Sequence, residues 1–321
     1  MKIFDSASTR AALPFARLIP ALEQMFVDGC EVPLRHTHTL TAPDGSHGTV
    51  LIMPAWVAGR YLGIKTVSIF PGNAARGLPA LHSSYTLYEA QTGRPLAMID
   101  GDQITARRTA AASALAASRL ARADARRLLV VGAGRLAALL PEAYREVLPI
   151  AEVSVWARTP ASATALAESL RSEGVPAAAT TDLAGAVAQA DVVSCATLAT
   201  SPLILGRWLQ PGSHLDLIGG FTPQMREADD DCFAGASVYV DTDEAAQKSG
   251  DLLGPFSRGV LSRQDLRGTL AELCRRHRAG ERTARQSATE RTVFKSVGTA
   301  LEDLAAAVLV FEGSAGRESS L

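Results

Sequence analysis

A glycine-rich turn is the first group of residues whose types and spacing suit chemistry. In LLVVGAGRLA, Gly132, Gly134 and Ala137 form the pattern GxGxxA directly after an apolar run. The first glycine of such a turn permits a tight bend, the second lets the backbone approach a pyrophosphate, and a small third residue allows close helix packing. The N–H groups of the helix start would then face the phosphates. The turn predicts a dinucleotide site, whose expected contacts are Gly132, Ala133, Gly134, Arg135 and Leu136.

The next strand-like run, EVSVWARTP, bears on the choice of dinucleotide. An Asp or Glu at its end would bind the ribose hydroxyls of NAD, but no acid follows Glu152 until Glu168. Ala157, Arg158 and Thr159 stand there instead, and a cation with a hydroxyl suits a 2'-phosphate. The alternative is a solvated surface arginine. We therefore expect NADPH as cofactor, with NADH possible.

Two further runs end where ligands bind in open α/β sheets, at the carboxyl ends of strands. SCATLAT places Cys195, Ala196 and Thr197 at one such end, and DLIGGFTPQMRE places Gly219 at another. These four residues are expected cofactor contacts.

A cation on an apolar helix face is the second chemical signal. Arg108 lies at helical spacing from Ile104 and Leu115, and a cation there is costly unless an anion meets it. That anion is either a ligand or an Asp or Glu of the core. Thr109 adds a hydroxyl near the helix start, where the dipole favours an anion. Arg107 lies off the apolar stripe and is expected to be solvated.

Arg35 and Lys65 are cations beside or within strand-like runs. Lys65 shares the parity of Val67 and Ile69, so it is expected on a covered face. With Arg108, these residues could bind a carboxylate, and Lys65 could donate a proton or polarise a carbonyl or imine.

Other kinds of site have little support. His36 and His38 are spaced for half a metal site, but no third ligand is in view, and no metal is expected. The four cysteines form no CxxC pair, and no GxSxG elbow is present. A formal net charge of -1 argues against nucleic acid as a partner. With no apolar N-terminal leader and no run approaching ~18 apolar residues, we expect a cytoplasmic protein without membrane contact.

The elements around these residues indicate two domains in 321 residues. From Arg127 onward, apolar strands alternate with Ala-rich helices, as in a doubly wound parallel sheet; the strands expected are RLLVV, EVSVW, DVVSC, HLDLIG and SVYVD. Helices are expected at PASATALAESLRSE, DLAGAVAQA and MREADDDCFAG. Earlier strand-like runs suggest a mainly antiparallel sheet, followed by a long helix at QITARRTAAASALAASRLA. A helix at ERTVFKSVGTALEDLAAAVLVFE is expected to return to it. The predicted fold is α/β, with a Rossmann domain at 123–295 and a discontinuous α+β substrate-binding and dimerisation domain at 1–122 and 296–321.

The chain resembles the ornithine cyclodeaminase/mu-crystallin family over nearly its whole length. The resemblance is carried by PLRHT, LPALHSSYTLYEAQTGRPLAMIDGDQITARRTAAASALA, VVGAGRLA, EVSVWART, GASVYVDT and RTVFKSVGTALEDLAA. It implies a homodimer made through the N-terminal domains and a site in the cleft between the domains.

The same resemblance implies roles for individual residues. Arg35 and Arg108 match the family's substrate-carboxylate arginines, and Lys65 matches its active-site lysine. Thr109 matches a cofactor-phosphate contact, and Arg158 with Thr159 looks like the NADPH-selecting pair of the ketimine reductases. His82 is a further candidate for the substrate pocket.

Phe221 is where the sequence departs from the family's cyclodeaminases, which carry an Asp after the corresponding turn. A phenyl ring cannot accept a proton, so activation of an amine loses its base. Phe221 could instead flank the ring of a substrate that is already cyclic. The expected activity is NADPH-dependent reduction of cyclic α-imino acids, Δ1-pyrroline-2-carboxylate or Δ1-piperideine-2-carboxylate, to L-proline or L-pipecolate.

Two alternatives stay open at this point. An ornithine cyclodeaminase or an alanine-type amino-acid dehydrogenase would need another carboxylate in place of the Asp, such as Glu227 or Asp229. A crystallin-like protein would bind NADPH and a small ligand without turnover.

Overall fold

A computed structural model describes residues 1–42 and 45–318 of the chain. The α-helices are α1 (Ser6–Ala12), α2 (Phe15–Asp28), α3 (Gly101–Leu120), α4 (Leu140–Arg145), α5 (Pro160–Ser172), α6 (Leu183–Gln189), α7 (Ala245–Lys248), α8 (Gly250–Ser257), α9 (Leu270–Arg278) and α10 (Ala300–Glu318). The strands are β1 (Lys2–Phe4), β2 (His36–Thr41), β3 (His47–Val57), β4 (Tyr61–Ile69), β5 (Leu81–Glu89), β6 (Pro95–Asp100), β7 (Arg127–Val131), β8 (Glu152–Trp156), β9 (Ala177–Ala179), β10 (Val192–Cys195), β11 (His214–Leu217), β12 (Ser237–Val240), β13 (Leu266–Thr269) and β14 (Thr292–Lys295).

The chain divides into two compact units. The N-terminal unit comprises Met1–Arg108 and the C-terminal segment that begins at Thr299, and the nucleotide unit is Thr109–Gly298. The first division therefore falls inside α3, whereas the sequence led us to expect it after that helix, at 122/123.

The N-terminal unit is built on a six-stranded sheet in the order β1-β6-β5-β4-β3-β2. Only the short β1 pairs in parallel; the other neighbours are antiparallel. Helix α10 packs on β3, β4 and β5 and against α2. Leu18, Leu22 and Phe26 give α2 a buried stripe at i, i+4, i+8, which explains why it packs there. The sheet was expected from the sequence, whereas α1, α2, β1 and β6 were not.

The nucleotide unit is an eight-stranded parallel sheet in the order β13-β12-β14-β11-β10-β7-β8-β9. All five strands predicted for it are present, and the strand order reverses direction at β7, as in a doubly wound sheet. The predicted fold class is therefore confirmed.

One predicted helix of the nucleotide unit was wrong, and the predicted C-terminal helix is present but shorter at its start. MREADDDCFAG holds only a 3-10 turn at Asp230–Cys232, because its three consecutive aspartates favour capping over a helix interior and Asp229 caps the turn. The expected C-terminal helix begins late, at Ala300, because Thr292–Lys295 forms the fully buried strand β14 between β11 and β12. Its β-branched and aromatic residues suit a central strand.

No helix within the described ranges is long and apolar enough to cross a lipid bilayer.

Candidate functional site

The two glycines of the GxGxxA turn, Gly132 and Gly134, have different surroundings. Gly132 follows β7 with φ 122°, and a Cβ there would lie 2.6 Å from the carbonyl oxygen of Ala196. A Cβ on Gly134 would meet nothing within 4 Å. Gly132 is thus required for the close approach of two strand ends, whereas Gly134 borders open space that a ligand can fill.

That space is a cavity of about 540 Å³ in the nucleotide unit, at the carboxyl ends of β7, β8 and β10. Among the residues lining it are eight expected cofactor contacts, namely Gly132, Ala133, Gly134, Ala157, Arg158, Thr159, Ala196 and Thr197. The sequence interpretation missed Trp156, Ser162, Leu198, Ala199, Thr200, Ser201 and Leu203, which also line it. The five of them from Leu198 to Leu203 lie within eight residues after the end of β10, and this was the available signal. A cavity of this size and place suits a dinucleotide.

The expected helix start after the glycine turn lies further along the chain. Residues 135–139 form a turn that includes Arg135 and Leu136, and regular helix α4 begins only at Leu140, with Pro141 in its first turn. Because proline has no N–H and fixes φ, it is tolerated there but would interrupt a helix that began at Gly134. Arg135 and Leu136 are not among the residues that line the cavity.

Cys195 also differs from its expected role. It ends β10 fully buried, and burial raises the pKa of its thiol well above the usual range. The cysteine packs in the core of the sheet, so the ligand-facing residues begin at Ala196.

Glu227 joins the ends of β10 and β11. Its carboxylate accepts hydrogen bonds from Thr197 N at 2.8 Å, Thr197 Oγ1 at 2.7 Å and Gly219 N at 2.7 Å. A Cβ on Gly219 would lie 1.9 Å from the carbonyl oxygen of Thr197. The expected cofactor residue Gly219 is therefore placed beside Thr197, which lines the cavity.

These contacts bear on the carboxylates that could replace the missing Asp. Glu227 is fully buried with three donors, and burial raises its pKa to about 7. Asp229 accepts from the N–H groups of Gly206 and Cys232. Phe221 itself is 44% exposed in the loop after β11. Both carboxylates are thus engaged in holding loops, and the position after the glycine pair presents an exposed phenyl ring.

In the N-terminal unit, the structure brings Lys65 and Arg108 together around two acids. Asp303 Oδ2 lies 2.6 Å from Lys65 Nζ, and Asp303 Oδ1 lies 2.9 Å from Arg108 Nε. Glu302 Oε2 lies 2.5 Å from Arg108 Nη1. We call Lys65, Arg108, Glu302 and Asp303 the charge group. Core acids, one of the two kinds of partner considered for Arg108, therefore contact it in the structure.

The charge group is buried, and burial and the neighbouring charges together shift the pKa values of its members. Burial lowers the pKa of Lys65, although Asp303 partly offsets the effect. For Asp303, burial alone would raise the pKa, but Lys65 and Arg108 outweigh it and the pKa is lowered. The two carboxylates likewise outweigh burial at Arg108 and raise its pKa. These shifts favour the ionised form of Asp303 and of Arg108.

The strand register explains which predicted residues join Lys65. Lys65 pairs with Met53 on β3 and with Tyr85 on β5, and all three are buried. The half-buried Arg35 directly precedes β2, whose first pair joins His36 to Ile52 on β3. The paired register ends at His36, so it places Met53 and Tyr85 beside Lys65 but does not extend to Arg35.

His82 is not part of that row. It pairs with Ser68, and this pair is three residues from the pair of Lys65 and Tyr85. Because side chains alternate along a strand, an odd spacing puts His82 on the opposite face of the sheet. It is also exposed. The expectation that His82 lines the substrate pocket is not supported by this geometry.

Arg107 corrects another expectation. It is 3% exposed, donates from Nε to the carbonyl oxygen of Leu13 at 2.6 Å, and its guanidinium lies 4.2 Å from the ring centroid of Phe15. It was expected to be solvated because it lies off the apolar stripe of α3, but α3 is covered on that side too. Thr109, the next expected contact after Arg108, is half-buried.

Metal-binding residues do not cluster in the part of the chain that the structure describes. No group of three or more His, Cys, Asp or Glu side chains there could hold an ion. His36 and His38 lie exposed on β2.

Comparison with known proteins gives the same family that the sequence motifs indicated. The model of the ornithine cyclodeaminase/mu-crystallin family matches residues 7–318. The chain belongs to this family. A Δ1-pyrroline-2-carboxylate reductase of Paracoccus denitrificans is 45% identical over 271 residues, covering 84% of each chain.

Solved structures resemble both units at once. The Δ1-pyrroline-2-carboxylate reductase of Thermococcus litoralis, in complex with NADH and L-proline, has a TM-score of 0.89 at 30% identity and covers 99% of this chain and 98% of its own. An archaeal alanine dehydrogenase dimer with bound NAD has a TM-score of 0.88 at 28% identity, covering 99% of this chain and 97% of its own. The predicted membership, and the likeness to the reductase branch, are thereby confirmed.

Proposed function

We propose that this protein is an NADPH-dependent reductase of cyclic α-imino acids, which converts Δ1-pyrroline-2-carboxylate or Δ1-piperideine-2-carboxylate to L-proline or L-pipecolate. Its class, an NAD(P)-dependent oxidoreductase that acts on C=N bonds, follows from its reductase relatives. The observation that carries the finer proposal is Phe221. It stands exposed where a cyclodeaminase needs a base, while Glu227 and Asp229 are engaged in backbone hydrogen bonds.

The cofactor cavity supports a dinucleotide. Gly134 leaves space beside the turn, and the lining residues follow the carboxyl ends of three neighbouring parallel strands. NADPH bound there would supply a hydride to the imine carbon. The chain's own residues have to orient that carbon, exclude water and hold the substrate carboxylate.

The preference for NADPH rests on the residues after β8. Arg158 and Thr159 are exposed at the cavity, and Ser162 lines it beside them. Within residues 1–42 and 45–318, no carboxylate forms an ion pair with Arg158. A guanidinium and two hydroxyls can bind a 2'-phosphate through charge-assisted hydrogen bonds.

The substrate carboxylate is assigned to Arg35, Lys65 and Arg108. Lys65 and Arg108 have their charged atoms within 3 Å of the same carboxylate, so the two cations lie close together. Arg35 is half-buried and directly precedes β2 of the same sheet. Paired cations of this kind are suited to a small carboxylate, and Lys65 is also able to polarise the imine.

We further propose a homodimer made through the N-terminal unit. Every residue of β2 is exposed, and β2 is an edge strand of its sheet. A long exposed edge offers unpaired backbone groups to a partner. The related alanine dehydrogenase is a dimer.

The proposed activity is tested by the loss of NADPH absorbance with purified protein and Δ1-pyrroline-2-carboxylate or its six-membered homologue. NADH, and ornithine with NAD, are run beside it. Rapid NADPH consumption with a cyclic imine supports the proposal. Ammonia release from ornithine, without imine reduction, would favour the cyclodeaminase. Cofactor binding with no turnover would favour a binding protein.

A further inference from the structure

Asp303, on α10, contacts both cations assigned to the substrate. Its two carboxylate oxygens are divided between Lys65 Nζ at 2.6 Å and Arg108 Nε at 2.9 Å. The Asp303 side chain is 0% exposed, Lys65 3% and Arg108 7%. A buried carboxylate with one oxygen on each cation fixes the separation of the two charged atoms.

The remaining donors of Arg108 are limited by the same contacts. Nε is used by Asp303 and Nη1 by Glu302, and Nη2 has no hydrogen-bond partner in the described part of the chain. A ligand carboxylate can therefore bind Arg108 through Nη2 without displacing either acid. Its second oxygen then needs another cation, and Lys65, held by the same carboxylate, is the nearest one in the charge group.

Asp303 also offsets positive charge in the charge group. Its carboxylate forms an ion pair with Lys65 and another with Arg108. Buried charges are tolerated when they are paired, and an unpaired charge in such a place is costly. Loss of the Asp303 charge would therefore make this part of the site more positive.

We infer that Asp303 is a positioning residue of the substrate site: it holds Lys65 and Arg108 in one arrangement and offsets part of their positive charge, so that both cations remain placed to bind the carboxylate of a cyclic imino acid. This inference rests on the proposed function.

The test compares D303N with E302Q for anion binding and with E312Q for turnover. D303N and E302Q each remove one negative charge from the charge group, but only Asp303 contacts Lys65. E312Q removes an acid of the same helix that lies outside the charge group, beside Arg60 and Tyr61. The probe for charge is pyrrole-2-carboxylate, a planar ring anion whose nitrogen is not basic. The probe for orientation is kcat with Δ1-pyrroline-2-carboxylate.

D303N and E302Q are expected to bind pyrrole-2-carboxylate at least as tightly as the wild type by calorimetry, because the group loses a negative charge. D303N is expected to lower kcat by about tenfold or more, since it frees Lys65, whereas E312Q should keep the wild-type kcat. The inference is overturned if folded D303N keeps the wild-type kcat, if E312Q lowers kcat equally, or if D303N and E302Q both bind the anion more weakly.

A further variant, D303E, keeps the test decisive if D303N does not fold. D303E keeps the charge but moves the carboxylate by one methylene, so it should bind the anion as the wild type does while kcat falls. D303E with the wild-type kcat would contradict the positioning role even if D303N does not fold. If the wild type reduces no cyclic imine, the proposed function fails, and the anion-binding comparison, which needs no turnover, still decides the charge role.

Discussion

Lys65 and Asp303 form a buried ion pair of 2.6 Å between Nζ and Oδ2. Lys65 comes from a central strand of the N-terminal sheet, and Asp303 comes from the helix that the chain forms after completing the nucleotide unit. The residue expected to contact the substrate is thus oriented by a segment that folds back at the end of the chain.

Lys65→Met is expected to lower kcat/KM for the cyclic imine by about 100-fold or more, because a charged group that contacts the reacting molecule is lost. The Kd for NADPH, measured by fluorescence titration, should not change, since the cofactor residues lie in the nucleotide unit. Lys248→Met, which removes a lysine paired with Glu244 on the surface of that unit, is the control.

Lys65→Met also leaves a buried carboxylate with one cation fewer, so unfolding is measured beside activity. The double variant Lys65→Met/Asp303→Asn removes both members of the pair and should recover stability without recovering turnover. Unchanged kcat/KM in folded Lys65→Met would rule out the role given to Lys65.

Arg158→Ala is expected to reduce the preference for NADPH over NADH by about 10- to 100-fold, the value of one charge-assisted hydrogen bond of ~1.5–3 kcal/mol. The measured quantity is the ratio of kcat/KM for the two cofactors. Arg207→Ala, which removes an arginine that lies over the ring of Trp208, should leave the ratio unchanged. If the ratio of kcat/KM for NADPH and NADH is unchanged in Arg158→Ala, Arg158 is a solvated surface residue without a role in cofactor choice.

The glycine turn allows two substitutions with opposite consequences. Gly134→Ala should fold with an unfolding free energy within about 0.5 kcal/mol of the wild type, because its Cβ meets nothing. It should nevertheless weaken NADPH binding about tenfold or more, since the methyl group occupies the approach to the pyrophosphate.

Gly132→Ala should instead lose about 1–3 kcal/mol of stability, since its φ of 122° is unfavourable for any side chain and its Cβ would meet Ala196. Thermal unfolding with and without NADPH separates the two effects. Equal NADPH affinity in Gly134→Ala and the wild type would argue against the pyrophosphate position.

Glu227 should give the protein a pH-dependent stability. Burial raises its pKa from an ordinary 4.5 to about 7, so the folded state binds this proton more tightly than the unfolded chain does. The stabilising contribution is therefore complete below about pH 4.5 and is lost as the pH rises to about 7. Relative to Glu227→Gln, which cannot ionise, the unfolding free energy of the wild type should fall by up to ~1.4 kcal/mol per pH unit across that interval.

Urea unfolding of both proteins at several pH values checks this slope. His214, whose pKa is lowered to about 3 by burial, acts in the opposite direction, but it is present in both proteins and cancels in the difference. A difference that does not vary with pH would show that folding does not raise the pKa of Glu227.

The sequence predicted features that depend on neighbouring residues better than those that depend on distant ones. The strands of the nucleotide unit and the glycine turn were recognisable because strand, turn and helix signals follow one another within a few residues. Strand β14 was missed because its four buried residues lie only a few positions before a long helix and resemble its first turn.

The acids of the charge group could not be assigned from local patterns. Arg108 was recognised as a cation that needs an anion, but its partner Asp303 lies 195 residues away, and no local spacing connects them. Arg107 was misjudged for the same reason, because Phe15 comes from a helix that the sequence interpretation did not include. Only the folded chain supplies these partners.

The glycine pair before Phe221 is closely packed, whereas the Phe221 side chain that follows it is partly exposed. Side chains at Gly219 and Gly220 would collide with Thr197 and Asp251, so the backbone there is held rigidly by its surroundings. The next side chain, Phe221, is 44% exposed and has no such restriction from a glycine position. Evolution could therefore exchange phenylalanine for an acid at this one position without loss of the fold. Such an exchange would add or remove a catalytic base.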